Sequence, residues 1–453
     1  MEWNHKKVLV VGTGISGIGA ADMLCKLNAD VILYDENKEL DKEAIKAKLQ
    51  DDSKVEIICG ALLDEVINVL ELVVLSPGVP TDSPLVLRFK EKNIKIWGEI
   101  ELGYAAEKGQ VIAITGTNGK TTTTTLVGAM VKDYFGASFV VGNIGNPYTT
   151  VALDTDEKSI SVAEVSSFQL ETVETFKPHV SAILNITPDH LNRHHTMENY
   201  ILAKEAVAKN QTKDDYCILN YENEFTRDFG LRCNAKVIYF SSERILEEGF
   251  FLVNEDIYFA CDGKRQRIMN IYDMNLVGMC NVENVMAALA MGYAMGIPFE
   301  NLLKTIREFK AVEHRIEYVA TKRGVAYYND SKGTNPDAAI QGIKAMSRPT
   351  ILIGGGYDKQ SEYDEWIEAF GGKVKKLILI GQTREKIAEC AKKHGFHEIV
   401  FAESLEEVME LCQKFAVSGD AVLLSPACAS WGMFPNYEVR GKMFKEMVYQ
   451  IEE

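Results

Sequence analysis

Short aliphatic runs that end in glycine-rich or polar loops recur along this chain, separated by stretches of helical spacing. That alternation restricts the available folds more than any other feature. Residues 8–11, 31–34 and 72–75 form a first group of runs, with an apolar helix expected over 17–27. Residues 111–115, 160–165 and 180–186 form a second group, and 325–328, 350–353, 377–380 and 421–424 a third. Strands alternating with helices imply parallel sheets. Ligands of such sheets gather beyond the carboxyl ends of the strands, and in all three groups the chemically interesting residues lie there. At 453 residues the chain exceeds a single core, so three α/β domains are expected, at 1–98, 99–311 and 312–453.

Composition narrows the partners. The hydrophobic fraction is 46% and the charged fraction 25%, which suits a globular protein. No apolar run approaches the roughly 20 residues of a membrane span, and the N-terminus lacks the long apolar region of a secretion signal. Nine cysteines (Cys25, Cys59, Cys217, Cys233, Cys261, Cys280, Cys390, Cys412, Cys428) are scattered with no C-x-x-C pair, as expected of reduced thiols in the cytoplasm. The net charge of −16 disfavours nucleic acid. It does not disfavour a nucleotide, whose phosphates are held by local amides and lysines.

Gly12-Thr13-Gly14-Ile15-Ser16-Gly17 follows a strand and opens a helix, and Asp35 ends the next strand. This is a dinucleotide-type turn, and the residues leave NAD and other nucleotides equally open. Gly116-Thr117-Asn118-Gly119-Lys120-Thr121 is a stronger phosphate loop, although Ile114 stands where a strict P-loop has its first glycine. Its backbone amides can approach phosphate oxygens, and the Thr121 hydroxyl can reach Mg²⁺. Lys120, read as an exposed loop lysine, would neutralise the phosphates. Glu164 lies near the end of an apolar strand and must be ion-paired or metal-bound there. His190 and His194 are four apart, but the intervening residues lack the glutamate of a zinc-protease helix.

Lys204 is less expected. With Thr196 as cap, a helix through 200–209 places Tyr200, Ala203, Val207 and Ala208 on one stripe with Lys204 near its centre, and Glu205 and Lys209 opposite. Geometry alone favours a lysine that snorkels to water. The alternative is an amine aimed into a site.

Taken together these motifs closely resemble the Mur ligases of peptidoglycan synthesis, over nearly the whole chain. The stretches that carry the resemblance are Ser76-Pro77-Gly78-Val79-Pro80, Gly98-Glu99-Ile100-Glu101-Leu102, the 116–121 loop, Gly142-Asn143-Ile144-Gly145, Ser166-Ser167-Phe168-Gln169-Leu170-Glu171, Asp330-Ser331-Lys332 and Ser425-Pro426-Ala427-Cys428-Ala429-Ser430-Trp431. The first, fifth and last of these point to the branch that adds D-glutamate, and the D-N-P-R motif of the next ligase is absent.

The resemblance implies a Rossmann-like N-terminal domain, a central P-loop ATPase-like domain and a Rossmann-like C-terminal domain. It implies an ATP-dependent ligase acting through an acyl phosphate on UDP-N-acetylmuramoyl-L-alanine and D-glutamate, as a cytoplasmic monomer. Gly14, Ile15, Ser16, Asp35, Ser76, Pro77, Gly78, Asn143 and His190 would contact the UDP-sugar. Gly116, Thr117, Asn118, Gly119, Lys120, Thr121, Thr122, Asn281, Asn284, Arg315 and Asp330 would contact ATP. Thr334, Lys359, Ser430 and Tyr437 would hold D-glutamate, Tyr437 on its spacing from Ser430 alone. Thr121 and Glu164 would serve one Mg²⁺, and His190 with a carbamylated Lys204 a second. Lys120, His190, Lys204 and Lys332 would carry the catalysis. Two rival readings are a folylpolyglutamate synthase, which has no evident need for the N-terminal nucleotide turn, and an NAD-binding oxidoreductase, which leaves the ATP loop idle.

Overall fold

The computed structural model describes residues 2–452 and has a three-domain α/β architecture. The first sheet contains β1 (Lys7–Val11), β2 (Asp30–Asp35), β3 (Val55–Cys59), β4 (Leu72–Leu75) and β5 (Lys95–Gly98), all parallel, in the order β3-β2-β1-β4-β5. Val8, Leu9 and Val10 are wholly buried, as a central parallel strand covered on both faces requires. With β2 and β4 flanking β1, the strand order reverses at β1, which opens a crevice at the carboxyl ends of β1 and β4. The expected helix runs Ile15–Lys26.

The second sheet contains β6 (Gln110–Thr115), β7 (Ser138–Gly142), β8 (Ile160–Glu164), β9 (Val180–Ile183), β10 (Tyr216–Asn220), β11 (Lys236–Ser241), β12 (Gly249–Val253), β13 (Asp256–Cys261) and β14 (Lys264–Asn270). Its order is β14-β13-β12-β11-β10-β9-β6-β8-β7. The expectation of parallel sheets holds from β7 to β12 and fails beyond, where β12, β13 and β14 are antiparallel. Asp262 and Gly263 both take positive φ between β13 and β14, the turn that suits a tight hairpin. The strand expected over 180–186 stops at Ile183.

The third sheet contains β15 (Glu317–Lys322), β16 (Val325–Asn329), β17 (Thr350–Gly354), β18 (Val374–Ile380), β19 (Ile399–Ala402) and β20 (Ala421–Leu424), in the order β15-β16-β20-β17-β18-β19. Only the edge strand β15 is antiparallel, joined to β16 through Arg323 and Gly324 at positive φ.

The first two sheets lie in one compact unit, made of the residues up to Asn270 together with Asn284–Ile306. The third sheet lies in a second unit, Ile271–Glu283 with the residues from Arg307 onward. Within the first unit one apolar cluster is continuous between sheets: Val8, Val10 and Leu72 join Trp97, Ile100 and Tyr148, and these join Val111, Ala113 and Ala163. Glu101, fully buried, seals that junction by accepting from the backbone amides of Glu174, Thr175 and Phe176. Among the described residues no helix is long and apolar enough to cross a membrane.

Candidate active site

In the first crevice, Gly12 has φ +101°, and a Cβ there would sit 2.6 Å from the Ser76 hydroxyl. A Cβ on Gly17 would meet the Gly12 carbonyl at 1.8 Å. Both positions therefore require glycine, and the turn presses against the Ser76-Pro77-Gly78 loop. The Thr13 hydroxyl donates to the Asp35 carboxylate at 2.9 Å, and the Asn37 amide donates to its other oxygen at 3.1 Å. Gly14 caps the helix and Ile15 projects with 71% exposure. The residues read as UDP-sugar contacts in the first sheet thus share one rim.

At the carboxyl end of β6 the loop 116–119 turns into the helix Lys120–Phe135, with Gly116 at φ +153° and Gly119 at φ +86°. A Cβ on Gly119 would lie 2.3 Å from Asn284 Oδ1, so Asn284 stands against the loop. Asn185, at the end of the segment after β9, accepts from the Asn118 amide (2.8 Å) and its carbonyl accepts from the Thr117 amide (2.9 Å). The Thr117 hydroxyl meets the Tyr200 hydroxyl at 3.0 Å. Thr121 and Thr122 begin the helix, both buried.

One expectation for this region is corrected, and one open alternative is closed. Lys120 is no exposed loop lysine: it is half-buried, opens the helix, and donates to the carbonyls of Gly116 and Thr117, both at 2.8 Å. Lys204 does not snorkel. It is 2% exposed, donates to the Gly116 carbonyl at 2.8 Å, and lies 4.7 Å from the Tyr200 ring centre. Burial, reinforced by the nearby Lys120 charge, pushes its amine well below the ordinary lysine range. The helix Met197–Glu205 is capped by the Thr196 hydroxyl as expected. Glu205, on the opposite face, is 5% exposed and pairs with Arg232.

Glu164 ends β8 beside β6 and β7, at 1% exposure. Asn143 donates to Oε1 at 2.8 Å, while Oε2 is buried with no hydrogen-bond partner. No lysine or arginine pairs with it among the described residues, so the ion-pair alternative fails. A buried carboxylate oxygen left without a donor is what a cation would satisfy.

His190 is exposed, at φ +53°. It reaches the buried cluster through rings: Phe168 lies 4.9 Å from His190 and 5.5 Å from His194, and His194 lies 5.2 Å from Tyr200. Sequence reasoning assigned no role to Arg193 and Glu171. They pair at 2.8 Å, and Arg193 also donates to the Val79 carbonyl while Thr81 donates to Glu171. This ties the histidine loop to the turn of the first crevice. The charged pair at 171 and 193 stood in quoted or adjoining motifs, but nothing in the linear order links them.

The second unit holds its own constellation. Asp330, buried after β16, accepts from the Ser425 hydroxyl (2.7 Å) after β20 and from the Ile316 amide (3.2 Å), which wraps the 314–316 segment around it. Burial raises its carboxyl to about 7. Arg440, 3% exposed and also missed, donates to the carbonyls of Ser331 (2.8 Å) and Cys428 (3.3 Å), fastening the two loops. Lys332 lies 5.3 Å from the Tyr437 ring, and the Thr334 amide donates to the Lys332 carbonyl. The Tyr357 amide bonds the Ala429 carbonyl, which brings the exposed Lys359 loop beside the buried Ser430. Asn281 is buried in this unit and donates to the Val277 carbonyl at 2.8 Å.

Three family models match this chain: a Mur ligase MurD-like N-terminal domain over residues 6–98, a Mur ligase middle domain over 114–292, and a Mur ligase glutamate ligase domain over 314–428. The chain is 58% identical to the UDP-N-acetylmuramoylalanine–D-glutamate ligase of Lachnospira eligens and 55% identical to that of Lachnoclostridium phytofermentans, with all of each chain covered. Among solved structures it is similar to the UDP-N-acetylmuramate-alanine ligase of Thermotoga maritima (19% identity, TM-score 0.61, 99% of this chain and 100% of that one). It is similar also to the MurF ligase of Thermotoga maritima, solved in complex with ADP (16%, 0.61, 99% and 96%).

Proposed function

Because the chain belongs to the Mur ligase family, we infer that it is an ATP-dependent ligase joining D-glutamate to UDP-N-acetylmuramoyl-L-alanine, in cytoplasmic peptidoglycan precursor synthesis. The observation that carries this reading is the buried Lys204 beneath the phosphate loop, with the unpartnered Glu164 oxygen at a neighbouring strand end. A merely structural glycine turn has no use for a desolvated amine and an unsatisfied carboxylate.

The loop amides and Lys120 bind and orient the ATP phosphates, and Lys120 draws charge from the γ-phosphoryl group as it passes to the alanyl carboxylate. The amine of D-glutamate then attacks the acyl phosphate, the amide bond forms, and phosphate leaves. Mg²⁺, when bound, supplies the remaining charge neutralisation. Glu164 and Thr121 would hold one ion, and His190 with Lys204 a second.

Lys204 takes part as a carbamate. Its neutral amine adds to the carbon of CO₂ and loses a proton, and a buried would-be cation becomes an anionic ligand. The first crevice binds the uridine diphosphate through the Gly12–Gly17 turn and the Ser76–Gly78 loop. Lys359, Thr334, Ser430 and Tyr437 hold the amino acid. On this reading the domains run over 1–98, 99–311 and 312–453.

ADP release measured with ATP and each substrate omitted in turn tests the reading. Turnover should need both UDP-N-acetylmuramoyl-L-alanine and D-glutamate. Turnover with a folate in place of the UDP-sugar, or tight NADH binding unaffected by it, would overturn it.

A further inference from the structure

Away from the strand ends, the helices Asp364–Glu368 and Arg384–Lys393 pack in one apolar layer through Trp366, Ile367, Ile387 and Ala391. At their outer edge the Asp364 carboxylate, the Cys390 thiol and the His394 imidazole each place a donor atom within 4.8 Å of the other two. Cys390 and His394 are four apart and so share a helix face, as do Asp364 and Glu368 on the facing helix. His394 Nε2 lies 2.8 Å from Asp364 Oδ1, and its Nδ1 lies 3.5 Å from Glu368 Oε1. Lys393 also approaches Asp364 Oδ1, at 3.4 Å, but its side chain is 76% exposed and can swing away.

We propose that Asp364, Cys390 and His394 form a binding site for a thiophilic divalent cation of the Zn²⁺ class, separate from the reaction's own metal. The donor set is one oxygen, one sulfur and one nitrogen. Zn²⁺ accepts all three at about 2.0–2.3 Å in tetrahedral geometry, which sets the donors roughly 3.3–3.8 Å apart. The present separations, 2.8 Å between Asp364 and His394 and no more than 4.8 Å among the three donors, bracket that range. Mg²⁺ and Ca²⁺ want oxygen-only shells, so the thiol and imidazole select against the ion that serves phosphate transfer. Three protein ligands leave the fourth position to water. Glu368 is placed to orient His394 through the other ring nitrogen, the usual support of a metal-bound imidazole.

The location gives the site a consequence. Tyr363, directly before Asp364, bonds the Cys428 thiol at 3.1 Å, and Lys386, on the same helix as Cys390, pairs with Asp358 at 3.3 Å. A cation clamping the two helices braces the segment 354–363, which carries Lys359.

The experiment is a Co²⁺ titration of the full chain under reducing conditions. Wild type should develop a thiolate-to-cobalt charge-transfer band in the near ultraviolet that Zn²⁺ abolishes and excess Mg²⁺ does not. Cys390→Ser should lose that band, and His394→Gln should need at least tenfold more Co²⁺ to reach half of it, while both keep the wild-type ligase rate when assayed with Mg²⁺ and no Co²⁺ or Zn²⁺, and so demonstrate an intact fold. Zn²⁺ should raise the Tm of wild type by about 2 °C or more and leave Cys390→Ser unmoved. Absence of the band in wild type at excess Co²⁺, or its survival in Cys390→Ser, would overturn the proposal.

Discussion

Lys120 and Lys204 donate to the same carbonyl oxygen, that of Gly116, each at 2.8 Å. Two ammonium groups on one neutral acceptor repel each other, and the buried one yields its proton more readily. Lys120 is the more exposed of the two, and burial together with the neighbouring Lys120 charge holds the Lys204 amine well below the ordinary lysine range. The two lysines differ chiefly in burial, Lys204 being 2% exposed and Lys120 half-buried.

Lys120→Ala should reduce ATP-driven phosphate release by about 100-fold or more, with Tm lowered modestly because Lys120 also holds the Gly116 and Thr117 carbonyls. Phosphate release close to wild type would remove the loop from the mechanism.

Lys204→Ala and Lys204→Arg should both be inactive, since arginine keeps the charge but cannot form the carbamate. After CO₂ stripping, bicarbonate should restore wild type and neither variant. The pH dependence has a definite sign. The folded-state pKa of Lys204 lies below the unfolded value, near 10.5, so the unfolded chain binds the extra proton. In CO₂-free buffer, wild type measured against Lys204→Met should gain stability as pH rises toward 10.5 and lose it as pH falls toward the depressed value. A difference that is flat with pH, read from urea midpoints, would show that Lys204 is charged in the fold.

Glu164→Gln keeps an acceptor for Asn143 and removes the anionic oxygen. The Mg²⁺ concentration for half-maximal turnover should rise about tenfold or more, while Tm stays level or rises because a buried charge is gone. An unchanged Mg²⁺ titration would leave Glu164 a structural acid.

Lys359→Ala should raise the KM for D-glutamate by ~10- to 100-fold, the worth of one charge-assisted hydrogen bond, and leave those for ATP and the UDP-sugar within about twofold. L-Glutamate should fail with wild type, because inverting the centre moves the amine away from the acyl phosphate when both carboxylates stay anchored. Steady-state kinetics against each substrate decide the matter, and an equal rise in all three values would place the pocket elsewhere.

What the linear order of residues revealed was local chemistry. The glycines of both loops, the Thr196 cap and the apolar runs of β1, β4, β6 and β20 were legible because each depends on a few neighbouring residues. The hairpins β12–β14 were missed although Asp262-Gly263 is a hairpin signal, since their strands alternate weakly beside the continuous runs of the parallel core. Lys204 could not be placed by helix geometry alone: a stripe position fits both a snorkelling and a buried lysine, and only packing against Tyr200 and Gly116 chooses between them. The pairings Asn143–Glu164, Arg193–Glu171 and Asp330–Ser425 span 21, 22 and 95 positions. No local pattern encodes contacts of that kind.

The apolar cluster that runs unbroken from β1 through Trp97, Ile100 and Tyr148 to β6 has an implication for heredity. A module whose inner wall is completed by its neighbour cannot be cut out and grafted onto another protein without baring that wall to water. Recombination between the first and second sheets would therefore be punished in both fragments, and the N-terminal sheet of this chain is bound to travel with the central one as a single transmissible piece.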